Sequence, residues 1–284
     1  MSGNTTDSTE RRASNGIFFQ IVGDGEPLLL LHGLLVSGAM FDPLVPLLQS
    51  GFRLLIPDLR GHGKSGDLPG PYDVPALAAD LDAVITEAGF ERCAVLGYSH
   101  GGAVAQQLAH TRPARVSRMM LTCTYACNVA TFREYMEAQI FRALLTILSP
   151  QTLANLAVKP AKPKPTGAIG LTREQAEWLR TILGANRAAP MRGAVGGLAT
   201  FDSRPWLKEI AIPTCVIGGA DDTAVPRYQF DTLVQGIPGA CGQLIERAGH
   251  TLIWTHTSEL AQIVRARWQA TTTKNTAPEI TRSE

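Results

Sequence analysis

The chain has 284 residues, 45% of them hydrophobic and 18% charged, with a formal net charge of +1. This balance suits one large globular unit and gives no electrostatic reason to expect nucleic acid or an anionic membrane as partner. No apolar run reaches the roughly 18 residues that a bilayer span requires.

In chain order, residues 1–16, "MSGNTTDSTERRASNG", are polar and lack the apolar stretch of a secretory signal, so they read as a disordered leader. "IFFQIVGDGEP" (17–27) predicts a strand and turn at an antiparallel edge. "LLLLHG" (28–33), "FRLLIPD" (52–58), "CAVLGY" (93–98), "RMMLTC" (118–123), "TCVIGG" (214–219) and "CGQLIE" (241–246) are short apolar runs that predict buried strands. Between them, "DVPALAADLDAVITEAG", "HGGAVAQQLAHTRP" and "SELAQIVRARW" space their apolar residues as helices do. Strand and helix in alternation predict an α/β fold, a mostly parallel central sheet flanked by helices on both faces.

The alternation breaks once. Residues 127–207 read as a helical cap inserted between two core segments, 17–126 and 208–270. Two helical runs flank the connector "KPAKPKPTG" (159–167), whose prolines exclude regular hydrogen bonding. The second run opens on Thr172 with Gln175 three residues later, the spacing of a capping box. Residues 271–284 read as a disordered tail. Five cysteines, Cys93, Cys123, Cys127, Cys215 and Cys241, are odd in number and scattered through apolar runs. Reduced thiols in a cytoplasmic protein are expected from that pattern, and no ligand spacing predicts a metal.

"AVLGYSHGGAV" (94–104) places Ser99 between Gly97 and Gly101, where a strand passes straight into a helix. Such a turn either needs small residues and a helix-capping serine, or lifts the hydroxyl above the sheet as a nucleophile. A nucleophilic serine needs a base, and the base needs an acid. His250, in "ERAGHTLIW", lies just beyond the last strand, where parallel sheets place their functional loops. The acid falls in "GGADDTAVP" (218–226), where Asp221 and Asp222 compete. An oxyanion would find donors in the backbone N–H of His100 and, from the loop after "LLLLHG", of Leu34. The His32 ring is placed to brace that loop.

Taken in order, "LLLLHGL", "IPDLRGHGKS", "GYSHGG", "GGADDTAVP" and "AGH" resemble the alpha/beta-hydrolase superfamily along most of residues 17–268. The resemblance implies the alpha/beta-hydrolase fold, selects Asp222 because it stands four residues before Pro226, and gives the chain order Ser99, Asp222, His250. It also implies a scaffold role for Asp58, Arg60 and His62. The serine sets the chain apart from the dehalogenase and epoxide-hydrolase branches, which carry aspartate at this turn. Small esterases, lactonases and polyester depolymerases are the most similar members. The implied function is cofactor-independent hydrolysis of a small apolar ester or lactone. C–C, peroxy-acid or amide chemistry on the same triad and a slow-turnover ligand receptor are the alternatives. Met40, Phe41, Phe132, Met136, Phe141, Trp178, Ile253 and Trp254 are the candidate walls of an apolar substrate pocket.

Overall fold

A computed structural model describes residues 8–128, 131–160 and 167–272. Its strands are β1 (Thr9–Arg12), β2 (Phe18–Val22), β3 (Glu26–Leu31), β4 (Phe52–Pro57), β5 (Cys93–Tyr98), β6 (Val116–Thr122), β7 (Thr214–Gly219) and β8 (Cys241–Ile245). They form one sheet in the order β1-β2-β4-β3-β5-β6-β7-β8. The pairs β1–β2 and β2–β4 are antiparallel and the rest are parallel. The helices are α1 (Val45–Leu48), α2 (Val74–Glu87), α3 (His100–Thr111), α4 (Phe132–Ile147), α5 (Pro150–Ala157), α6 (Arg173–Gly184), α7 (Ala188–Leu198), α8 (Arg227–Gly236), α9 (Leu252–Thr255) and α10 (Thr257–Thr272).

Successive side chains of a strand point to opposite faces, and the apolar run of β3 must therefore be covered twice. Leu29 and Leu31 pack with Leu77 and Leu81 of α2 and Leu108 of α3. Leu28 and Leu30 pack on the other face with Leu48 of α1 and with Leu260 and Val264 of α10. Because β3 lies between β4 and β5, the chain leaves it to one side and returns on the other. The loops after β3 and β5 diverge there, and that opening is where doubly wound sheets form their crevices.

Two boundaries differ from those read in the sequence. Residues 9–12, placed in a disordered leader, form β1 and pair with β2, which is thus the second strand and not the edge. All four β1 residues are exposed, so the strand carries no alternating apolar pattern to reveal it. Charged contacts hold it instead: Lys64 bonds Glu10 at 2.7 Å, the Arg12 guanidinium bonds the carbonyls of Gly16 and Lys64, and both cations sit over the Phe18 ring. Such a charged edge also discourages pairing with another sheet. At the far end α10 continues to Thr272, two residues into the expected tail. Residues 1–7 and 273–284 lie outside the described part, as does most of the proline-lysine connector (161–166).

The four helices α4 to α7 occupy the interruption between β6 and β7. Thr172 and Gln175 cap α6 reciprocally, each side chain accepting from the other's N–H at 3.2 and 3.0 Å. The insertion leaves and re-enters the core at one point. There Cys127 bridges Asp202, Ser203 N–H donates to Ala126 O at 2.8 Å, and the Gln229 amide ties Ala126 and Cys127 to α8.

Glycine at 101 is a steric requirement. A Cβ there would stand 2.1 Å from Leu31 O and 2.6 Å from His32 O, both backbone atoms that cannot turn aside. Gly101→Ala is expected to cost about 3 kcal/mol or more, since forced overpacking typically costs about 1–3. Gly196→Ala, in α7 with open space around the new methyl, is expected to be neutral or stabilising by up to about 1 kcal/mol. Urea midpoints of the two variants, read at unchanged slope, check this contrast.

Candidate active site

The sharp passage from β5 into α3 is built by its glycines. A Cβ on Gly97 would meet Gly101 O at 2.5 Å, so strand and helix approach too closely for any larger residue. The passage forces Ser99 to φ 51 and ψ −116, a conformation that L residues rarely adopt. Its backbone is pinned from both sides: Ser99 N–H donates to Thr122 O, and the Thr124 hydroxyl donates to Ser99 O at 2.6 Å. The Ser99 side chain makes no capping hydrogen bond to α3. A serine kept only to cap the helix would turn its hydroxyl back to those N–H groups.

That hydroxyl lies 3.2 Å from Nε2 of His250, whose Nδ1 lies 2.9 Å from Oδ2 of Asp222. The histidine comes from the loop after β8 and the aspartate from the loop after β7. The other oxygen of Asp222 accepts the N–H groups of Ala224 and Val225 at 2.9 and 3.0 Å. Burial alone would raise the Asp222 pKa, but the His250 ring and these two N–H groups together hold it below the ordinary carboxylate value. The structure brings Asp222 to His250 and leaves the neighbouring Asp221 out of the row. The Asp221 carboxylate makes no hydrogen bond among the described residues.

Two further side chains join this row without having stood out in the sequence. The Tyr98 hydroxyl donates to the backbone carbonyl of His250, and its ring stands 5.7 Å from the imidazole. Cys123, at φ 47 after β6, brings its thiol within 4.8 Å of the ligand atoms of Asp222 and His250. This is the group among the described residues able to approach a cation, but its oxygen and nitrogen already face each other in a hydrogen bond. Burial also pushes the thiol well above its ordinary pKa. Tyr98 could have been suspected from its place directly before the serine; Cys123 left no signal in the pattern.

On the facing side, a Cβ on Gly33 would stand 3.5 Å from Ser99 Cβ, which puts the loop after β3 against the serine. His32 is fully buried, with Nδ1 2.8 Å from Gly33 O, while Nε2 accepts Leu59 N–H at 2.9 Å. The first contact therefore carries the ring proton, and the ring braces the loop on both sides. The N–H groups of Leu34 and His100 have no internal partner among the described residues. The His100 ring is fully buried, 3.3 Å from the Tyr125 hydroxyl, and burial drives its pKa down to about 3. His100 thus presents its backbone to the site.

The expected apolar pocket is not where the sequence put it. Met40, Phe41 and Ile253 are 0% exposed, and Trp254 is buried with Nε1 donating to Met40 O. Trp178 packs edge-on against Trp254. These residues are a block of core that supports the loop after β3; Met40 Sδ lies 3.3 Å from Gly33 N. Met136 is exposed on α4, and the side chains of Phe132 and Phe141 on the same helix lie outside the described part. A cavity of about 440 Å³ opens between Leu34, the loop 223–226 that follows Asp222, and helices α4 and α7. Apolar spacing separates inside from outside, but it does not say which buried side chains face a void.

A family profile described as the alpha/beta hydrolase fold matches residues 26–257. The pimeloyl-[acyl-carrier protein] methyl ester esterase of Aeromonas hydrophila is 27% identical over 85% of this chain and 95% of its own length. A Variovorax paradoxus protein whose name assigns it carbamate hydrolysis is 30% identical over 80% of this chain and 85% of its own. Among solved structures, a thermophilic esterase from Thermogutta terrifontis superposes with a TM-score of 0.80 at 24% identity, covering 93% of this chain and 98% of that one.

Proposed function

The chain belongs to the alpha/beta-hydrolase fold family, and we propose that it hydrolyses carboxylic esters through an acyl-enzyme on Ser99. The observation that carries this is the hydrogen-bonded row of Ser99, His250 and Asp222, with separations of 3.2 and 2.9 Å. As Ser99 Oγ attacks the acyl carbon, its proton passes to His250 Nε2. The tetrahedral oxyanion is held by the N–H groups of Leu34 and His100, each such donor typically worth about 3–4 kcal/mol. Collapse breaks the ester bond, and the departing alcohol takes the proton from His250. Water then attacks the acyl group, again giving its proton to His250, and the acid leaves as Ser99 regains its hydrogen. Asp222 holds the Nδ1–H tautomer and stabilises the imidazolium formed in each half.

Residues 127–207 serve as the substrate-selecting cap on the sheet core, and the substrate is a small ester or lactone. A reducing, cytoplasmic setting suits the five free cysteines. Among the described residues, no helix is long and apolar enough to cross a membrane.

Asp222→Asn is expected to lower kcat on p-nitrophenyl acetate by about 10⁴-fold, because the amide supports the wrong imidazole tautomer. Asp221→Asn should stay within about twofold, as expected of a side chain outside the row. A comparison of p-nitrophenyl acetate with the matching anilide and carbamate tests the bond cleaved. Faster turnover of the ester supports the reading; hydrolysis of the carbamate or anilide with the ester untouched overturns it.

A further inference from the structure

We infer that Asn186, in the inserted cap, is a positioning residue for the oxyanion donor at Leu34. It acts by clamping the carbonyl of Leu35, and the inference rests on the ester-hydrolase reading above. Asn186 follows the last turn of α6 and is buried. Its Nδ2 donates to Leu35 O at 2.6 Å and lies 3.2 Å from each of Ile182 O and Leu183 O at the end of α6. Three carbonyl oxygens around one atom require the nitrogen there, because an amide oxygen would be repelled by all of them. Oδ1 then accepts the Gly63 N–H at 3.4 Å, in the loop after β4. Capping of α6 accounts for the two longer Nδ2 contacts. The shortest one reaches across 151 positions of the chain to the loop after β3.

Leu35 needs such a clamp. Leu34 and Leu35 form a turn, and Leu35 holds φ 62, a left-handed conformation that leucine rarely takes. Such a conformation persists only where the surroundings over-determine it. Here the cap supplies them: Leu34, Leu35 and Leu153 of α5 pack together on Met191 and Val195 of α7. Apolar packing holds the side chains, whereas a hydrogen bond also orients the peptide plane. The bond from Asn186 fixes the plane that follows Leu35. Were Leu35 to relax to a negative φ, the turn would swing and carry the Leu34 N–H with it. A misplacement of about 1 Å near a reacting group can cost on the order of 100-fold in rate. His32 braces this loop from the core side and Asn186 from the cap, which ties turnover to the seating of the cap.

The test compares Asn186→Leu and Asn186→Asp with the unmodified protein on p-nitrophenyl acetate. Leucine removes the donor at similar volume, and kcat and kcat/KM should fall together by about 10- to 100-fold. Arg180→Met removes a 3.0 Å bond within the cap, from α6 to Val158 O, and should stay within about twofold. In Asn186→Asp the ionised carboxylate cannot donate to Leu35 O, whereas the protonated acid can. Its activity relative to the unmodified protein should therefore rise as pH falls from about 9 towards 6.5, while that of Asn186→Leu stays flat. Taking the ratio at each pH cancels the titration of His250, which all the proteins share. Phenylboronic acid forms a tetrahedral adduct on Ser99 with an oxygen where the oxyanion develops. Its inhibition constant in Asn186→Leu should weaken by about the factor lost in kcat/KM, and does not depend on how much of the variant is folded. Turnover of Asn186→Leu within about twofold, or an unchanged boronate constant, would overturn the inference. So would a pH-independent ratio for Asn186→Asp, or an equal fall in Arg180→Met. Where the unmodified protein hydrolyses the ester, those outcomes strike the clamp alone. If it leaves the ester intact, the ester-hydrolase reading falls and the clamp with it.

Discussion

Ser99→Ala is expected to lower kcat on p-nitrophenyl acetate by about 10⁴- to 10⁶-fold, to the residual rate that oxyanion donors and binding alone sustain. His250→Ala should fall into the same range, and the double variant should lose little more, because the two groups act as one unit. Stability should move the other way at this position. Ser99 is held at φ 51 by the packing of β5 against α3, and such strain costs on the order of 1–3 kcal/mol. Alanine inherits that strain, whereas glycine populates positive φ freely. Ser99→Gly should therefore be inactive yet about 1 kcal/mol more stable than Ser99→Ala. Turnover and urea midpoints measured on the same preparations check both halves. An active Ser99→Ala would remove the nucleophile; equal stability of the two variants would remove the strain.

The second large effect is acid lability from three buried histidines behind the loop after β3. His32, His62 and His100 are each 0% exposed, and burial pushes their pKa values down to about 4, 3 and 3. The unfolded chain binds protons at these sites near the ordinary histidine value of about 6.5, while the folded chain stays neutral there. Their contribution to stability is therefore fully present above about 6.5 and is lost as pH falls from there towards 4 and 3. With up to three protons taken up on unfolding, the slope approaches about 4 kcal/mol per pH unit in that window. Asp58, held above its ordinary value by burial despite accepting two backbone N–H groups, offsets a small part at the acid end. Urea titrations at several pH values should show stability falling steeply below about 6.5, with the slope reduced by about one proton in His62→Asn. The Nδ1 of His62 faces Arg60 O, a contact an asparagine amide can replace, and its Nε2 has no partner to lose among the described residues. A flat profile down to about pH 4 would show that these rings are not buried neutral.

The parts of the site that could be read in the sequence were those the backbone dictates. Gly97 and Gly101 are legible because a strand running directly into a helix admits nothing larger, and the order of the motifs placed His250 and Asp222 after the last two strands. The choice between Asp221 and Asp222 needed the resemblance, since adjacent residues on a loop look alike in sequence; the hydrogen bonds to Ala224 and Val225 supply the physical reason. β1 escaped because four exposed residues carry no apolar alternation. The cavity escaped for a related reason: Met40, Phe41 and Ile253 are as apolar as any pocket wall, yet they are packed solid. Asn128, Glu134 and Thr223 reach the cavity through tertiary placement of the cap entrance and the acid loop, which no local period encodes.

The central claim is that Ser99 is the group that bonds to the acyl carbon. Labelling the protein with a fluorophosphonate and mapping the adduct by peptide mass spectrometry tests it most directly. A single adduct on the peptide containing Ser99, formed much more slowly in His250→Ala, is the expected result. An adduct on another residue, or undiminished labelling of Ser99→Ala, would contradict the account.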